Sequence, residues 1–242
     1  MTPPKVSFEV FPPRTVGAAF KLWDTAQALA PLSPRFFSVT YGAGGSTRDL
    51  THDAAHVLRR TSGLPVAAHL TCVGASKAET MEVADSFAEV GVTDIVALRG
   101  DPEEGATTFT PHPEGFNDSC ELITALAETG KFNIRVGAYP DPHPEAASPE
   151  ANIEWLKRKF DAGADEAMTQ FFFEAETFLR FRDACAKAGI DKPITPGILP
   201  IVNWKSARKF ADRCGTPVPT WIDDAFEKAQ RDNRVELLET SL

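Results

Sequence analysis

No stretch of this chain approaches the ~20 consecutive apolar residues that cross a membrane. Met1–Val10 likewise carries no apolar core of a secretory leader. A cytoplasmic location with no membrane partner is therefore expected. Positive charge is scarce: 25 Lys and Arg against 34 Asp and Glu leave a net charge of −9. A phosphate backbone needs a basic face, so no nucleic-acid partner is expected. Cysteine is scarce too. Cys72, Cys120, Cys185 and Cys214 fall in no CxxC or zinc spacing and read as reduced thiols of the core or surface. His52 and His56 stand at i,i+4 without an evident third ligand, which reads as a solvated helix face, and no metal centre is expected. Neither GxGxxG nor GxxxxGK[ST] occurs, and no low-complexity tract or linker divides the 242 residues. One domain over residues 1–242 is expected, long enough for a real core.

What the chain does have is a beat. Gly63, Gly91, Gly130, Gly163, Gly189 and Gly215 recur at intervals of 28, 39, 33, 26 and 26 residues, each closing a helix-like stretch. The first five precede short apolar runs within a few residues. Glycine takes the left-handed conformation that ends a helix, so this pattern reads as repeated βα units. The strand-like runs are Val6–Phe11, Phe36–Gly42, Pro65–Cys72, Asp94–Gly100, Asn133–Pro140, Glu166–Phe173 and Pro193–Pro200. Seven such units in one chain of this length predict an α/β fold of the (β/α)8 TIM-barrel type, with seven of eight strands present. The connections from helix to strand are short, whereas Asp101–Asn117 and Pro140–Asn152 are long and rich in proline. Both long loops follow strand C-termini, where barrel enzymes carry their sites, and suit a large ligand.

The strand tips carry the chemistry. In Val6-Ser7-Phe8-Glu9-Val10-Phe11 side chains alternate, so Ser7, Glu9 and Phe11 share a face, and Glu9 is expected to point into the barrel near its mouth. Lost hydration there favours the neutral carboxyl and suits a general acid. The competing reading pairs Glu9 with an arginine such as Arg99. Thr40-Tyr41-Gly42-Ala43-Gly44-Gly45 runs into a glycine-rich turn that either admits a flat ring or phosphate or is simply a tight barrel loop. His69, in the apolar third run, reads as a core histidine or a catalytic one. Arg99-Gly100-Asp101 sets a cation, a flexible backbone and an anion at the fourth tip. Tyr139 ends the fifth run, and Asp141, His143 and Glu145 follow it. Lys157-Arg158-Lys159 on the next helix either reaches a diphosphate or is merely solvated. Gln170, an amide among aromatics, needs hydrogen-bond partners from protein or ligand. No lysine occupies a strand tip, which disfavours a Schiff-base aldolase.

In order along the chain, several segments resemble the methylenetetrahydrofolate reductase family in its bacterial, single-domain, FAD-dependent form. They are Ser7–Arg14, Val39–Ala43, His69–Cys72, Val96–Asp101, Ala138–Pro140, His143–Ala146, Leu156–Lys159, Thr169–Phe173 and Pro196–Pro200. The resemblance implies that Glu9 is the general acid opening the folate imidazolidine ring, and that Asp101 stands beside the pterin and tunes the flavin. It implies FAD contacts from Thr40, Tyr41, Ala43, His69, Arg99, Gly100, Asp101, Tyr139, His143, Ala146, Asn152, Trp155, Arg158 and Lys159. Glu9, Asp101, Gln170 and Phe210 would meet substrate.

The implied reaction is ping-pong: NAD(P)H reduces FAD, and 5,10-methylenetetrahydrofolate then becomes 5-methyltetrahydrofolate, within one-carbon metabolism and methionine biosynthesis. Asn152 and Trp155 stand where related flavin-binding members carry Asp and Asn. Trp204 replaces a common Phe, Ser206 a Gln that helps hold folate, and Asn117 a small residue of the long loop. Asn152 and Trp155 motivate one alternative, a flavin-free NAD(P)H-dependent folate reductase, and the lack of an eighth strand motivates another, a catalytically weak folate- or flavin-binding subunit.

Family members continue past the equivalent of Leu242 into a long helix and an eighth strand, whereas here Val235, Leu237 and Leu238 only begin an amphipathic pattern. Pro217–Ile222 holds two prolines and is not expected to be a central strand. Strands 1 and 7 are therefore expected to be edges. Pairing with another chain, a homo-oligomer, or a shortened form of a longer protein all remain open.

Overall fold

Seven strands alternate with helices in the computed structural model, which describes residues 4–42, 48–102, 108–232 and 235. The strands are β1 (Phe8–Val10), β2 (Phe37–Val39), β3 (Val66–Thr71), β4 (Asp94–Leu98), β5 (Asn133–Ala138), β6 (Glu166–Phe171) and β7 (Ile194–Gly197). They follow sequence order in one sheet, β1 and β7 being terminal, and every described pairing is parallel. The helices are α1 (Val16–Leu29), α2 (Arg48–Ser62), α3 (Lys77–Glu89), α4 (Ser119–Thr129), α5 (Pro149–Asp161), α6 (Ala175–Lys187), α7 (Trp204–Cys214) and α8 (Thr220–Arg231). This is the expected α/β class, seven βα units of a TIM-type barrel. No helix among the described residues is long and apolar enough to cross a membrane.

All six of the recurring glycines have positive φ. Gly130 (φ 64°) caps α4 and Gly215 (φ 67°) caps α7, each with its N–H returned to a carbonyl of the last turn. Helix starts are equally local. Ser76 and Glu79 form a reciprocal capping box at α3, and the Asp118 side chain accepts from the Cys120 and Glu121 N–H groups at α4. The Pro217–Ile222 segment leads into α8 with Pro219 at the cap, where a missing N–H costs nothing.

Two compact units divide the chain: Met1–Val136 with Lys159–Asp165, and Gly137–Arg158 with Glu166–Leu242. In the first, Phe36, Phe37, Leu58, Leu70, Phe87, Ile95, Leu122, Leu126 and Ile134 are fully buried. Its strands β2 and β3 are buried along their whole length, as parallel strands covered on both faces must be. Register lays Glu9 beside Ser38 and Ser38 beside Ala67. One layer therefore runs across β1, β2 and β3, polar at Glu9 and Ser38 and apolar at Ala67. Nearer the strand starts a second layer holds the Arg135–Asp94 ion pair, with the Arg135 guanidinium 4.2 Å from the Phe36 ring centre. In the second unit, Ile201, Ala207, Ile222 and Phe226 form a cluster closed by Trp204, whose ring stacks on Phe226 at 4.5 Å.

Candidate active site

Glu9 sits in β1 with its carboxyl 3.3 Å from His69 Nε2, and the Ser38 hydroxyl donates to it from β2. His69 reaches this position because it lies two residues beyond Ala67, on the same face of β3. The imidazole is buried at 10% side-chain exposure, whereas the Glu9 side chain is 53% exposed, as befits a terminal strand. Burial of the carboxyl is the largest single influence on its proton affinity and raises it. The close polar contact and charge of His69, together with the Ser38 hydroxyl, outweigh that effect, so the Glu9 pKa lies below the ordinary glutamate value. The expectation from position alone was the opposite. Desolvation acts as expected, but a neighbouring base wins. The expected alternative partner, Arg99, instead lies over the Phe109 ring at 4.9 Å and donates to the Gly100 carbonyl.

The remaining tips of the first unit are built as follows. Thr40 donates its N–H to the Val10 carbonyl and accepts Thr51 at its own, while the Tyr41 hydroxyl accepts from Arg48. Ala43, with Gly44 and Gly45, lies outside the described residues. Gly100 has φ +93°, and a Cβ there would stand 2.7 Å from Val73 Cγ1, so the turn into the exposed Asp101 requires glycine. Lys159 is buried, at 7% exposure, and burial pulls its ammonium down to about 8. Cys120 opposes that shift and the Arg99 cation adds to it. Two mutually repelling cations, one at the end of β4 and one on α5, form a donor set that suits an anion.

His52 is not on a solvated face. It packs on the Phe87 ring at 5.5 Å and meets the Ser86 carbonyl.

In the second unit, Tyr139 meets His143 edge-on at 4.8 Å. Asn152 fixes both: its amide nitrogen donates to the Tyr139 carbonyl at 2.9 Å, and its oxygen accepts the His143 N–H at 3.4 Å. Ala146 donates its N–H to the His143 carbonyl. Trp155 is half-buried with the Arg158 guanidinium 4.5 Å from its ring centre. Gln170 accepts the Phe171 N–H with its side-chain oxygen, and Phe210 stacks on Phe171 at 5.4 Å. A narrow crevice is lined by Tyr139, Asp141, Gln170, Phe171 and Thr216 among others. Asp141, desolvated there, has a raised pKa despite Arg180.

Sequence reasoning missed Ser38 and Thr216. Ser38 carried a signal, a lone hydroxyl within the apolar run Phe36-Phe37-Ser38-Val39. Thr216 carried none.

The sequence model of the family described as "Methylenetetrahydrofolate reductase" matches residues 2–238. The chain is 46% identical over 228 residues to 5,10-methylenetetrahydrofolate reductase of Pectobacterium carotovorum, covering 94% of this chain and 74% of that protein. It is 46% identical over 222 residues to the Escherichia coli protein of the same name, covering 92% and 73%. It is 34% identical to methylenetetrahydrofolate reductase (NADH) 1 of Arabidopsis thaliana, covering 91% of this chain and 39% of that one. Among solved structures, 2,3-dimethylmalate lyase aligns with a TM-score of 0.53 at 12% identity over 95% of this chain and 80% of that one, a likeness of fold alone. A family match over nearly the whole length, set on strand tips of the expected order, shows that the chain belongs to the methylenetetrahydrofolate reductase family.

Proposed function

We propose that this protein reduces 5,10-methylenetetrahydrofolate to 5-methyltetrahydrofolate, drawing electrons from NAD(P)H through bound FAD in a ping-pong cycle. The observation that carries the reading is Glu9 at the first strand tip, held by His69 and Ser38 within a chain of this family. The donor set fits an anionic dinucleotide: Lys159 is a desolvated cation beside a second cation, Arg99, an arrangement an anion would relieve. Arg158 and Lys159 would hold the diphosphate. Thr40, Tyr41, His69, Arg99, Gly100, Tyr139, His143 and Ala146 would hold the rest. A bound flavin would supply hydride transfer between nicotinamide and folate.

The protein's own work is proton placement and orientation. Glu9 would give its proton to the imidazolidine nitrogen as the ring opens to the iminium that accepts hydride. Asp101, exposed just after the Gly100 turn, would face the pterin with its carboxyl group. Gln170 and Phe210 would orient the flat rings of substrate, since Phe210 already stacks face to face with Phe171.

A second reading, direct reduction by NAD(P)H without flavin, is favoured by Asn152 and Trp155. Both are engaged within the protein, Asn152 at both ends of its amide and Trp155 by Arg158. One experiment separates the two. Protein purified aerobically is expected to be yellow, to bleach on anaerobic NAD(P)H, and to recover its absorbance when methylenetetrahydrofolate is added. Colourless protein that nonetheless turns over would establish the second reading and overturn the first.

A further inference from the structure

We propose that His69 is the proton store that loads Glu9 in each catalytic cycle, a positioning and relay residue acting through that carboxyl. The inference rests on the reading of Glu9 as the general acid and extends it to the source of the proton. A carboxyl that is to donate at neutral pH must be protonated at the moment of ring opening, and an ordinary glutamate by itself is not. The structure supplies a partner whose ordinary titration falls near neutrality, 3.3 Å away.

Three observations converge on the pair. Register across β1, β2 and β3 lays Glu9, Ser38 and Ala67 side by side and sets His69 one inward position further along. The His69 Nε2 is fully buried and has no aligned hydrogen-bond partner as it stands, although a carboxyl oxygen is at charge-pair distance. A buried ring N–H without a partner is costly, and the half-exposed Glu9 side chain has the freedom to turn and satisfy it. Third, no competitor for the pair stands among the described residues. The groups that act on the Glu9 carboxyl among the described residues are His69 from β3 and the Ser38 hydroxyl from β2. The neighbour of His69 on β4 is the apolar Val96.

The relay balances simply. The imidazolium N–H bond of His69 breaks as an O–H bond forms on Glu9. That O–H bond then breaks as an N–H bond forms on the folate ring nitrogen. Glu9 returns to carboxylate, and His69 takes a proton from water. No electrons are transferred in these steps. Ser38 holds the carboxyl in place throughout.

Two measurements test this. In the flavin-free protein, titration of the histidine ring resonances by NMR, with His69 assigned through His69→Gln, reads the proton affinity of that imidazole directly. Glu9→Gln should then lower it about tenfold or more. An unchanged His69 titration in Glu9→Gln would overturn the pairing.

In anaerobic single-turnover kinetics, His69→Gln should slow folate reduction about tenfold or more near pH 7.5, and the loss should shrink as the pH is lowered and bulk solvent protonates Glu9 directly. A loss that is the same at every pH is what a purely structural histidine produces, and it would refute the relay. If instead Glu9→Gln itself reduces folate at the wild-type rate, the general-acid reading fails independently of anything found for His69.

Discussion

At the scale of single residues, the most telling group is Lys159. Burial displaces its ammonium from the ordinary lysine range to about 8, which corresponds to a cost on the order of 3 kcal/mol. Between pH about 8 and the ordinary lysine value, the unfolded chain binds a proton that the folded chain does not. Stability should therefore rise with pH through that window, and the penalty is complete below it. Lys159→Met should raise the thermal midpoint of flavin-free protein at pH 7 by a few degrees and flatten that alkaline rise. The same change should weaken FAD binding in a fluorescence titration. A lower midpoint together with unchanged flavin affinity would contradict the role assigned to the cation.

Cysteine reactivity makes a second check. Burial pushes both Cys72 and Cys185 up to about 11, so neither should react with a thiol reagent at pH 7.5 under native conditions. Cys120 and Cys214 are only half-buried, so any reactivity counted before unfolding should come from them.

At the scale of elements, two substitutions probe the joints that carry the strand tips. A Cβ on Gly197 would stand 2.3 Å from the Thr169 backbone carbonyl oxygen, which belongs to β6 and cannot swing aside. Gly197→Ala should lower stability in urea unfolding by roughly 1–3 kcal/mol. Ser76→Ala removes half of the capping box on α3 and should cost about 1 kcal/mol. A neutral result at Gly197 would mean that β6 and β7 are not packed as described.

Elements were also where the sequence was most readable. Six glycines marked the helix ends because only they take a left-handed φ cheaply, and all six have it. Two prolines kept residues 217–222 from reading as a strand, and Pro219 indeed caps α8. The strands are shorter than the apolar runs that announced them. Val6–Phe11 contracts to Phe8–Val10 because ladder pairing with β2 spans only those residues, and Val6 and Phe11 beyond it are exposed.

At the scale of the whole molecule, the candidate site was legible as residue types near strand ends, whereas its electrostatics were not. Position at the mouth implied a desolvated, neutral Glu9. The actual balance depends on His69 two strands away in the sheet, a distance in sequence that alternation alone does not bridge. Asn152 looked like a departure from a cofactor contact. In the fold it fastens the Tyr139 carbonyl to the His143 amide, which no local pattern announces. The net charge of −9 also concealed the paired cations Arg99 and Lys159, since a total says nothing of where charge is gathered.

The central claim is that the Glu9 carboxyl delivers the proton that opens the folate ring. The most direct test is the pair of anaerobic half-reactions measured on Glu9→Gln. Reduction of bound flavin by NAD(P)H should proceed within a few-fold of wild type, whereas its reoxidation by methylenetetrahydrofolate should fall by about a hundredfold or more. Equal losses in both halves, or reoxidation at the wild-type rate, would contradict it.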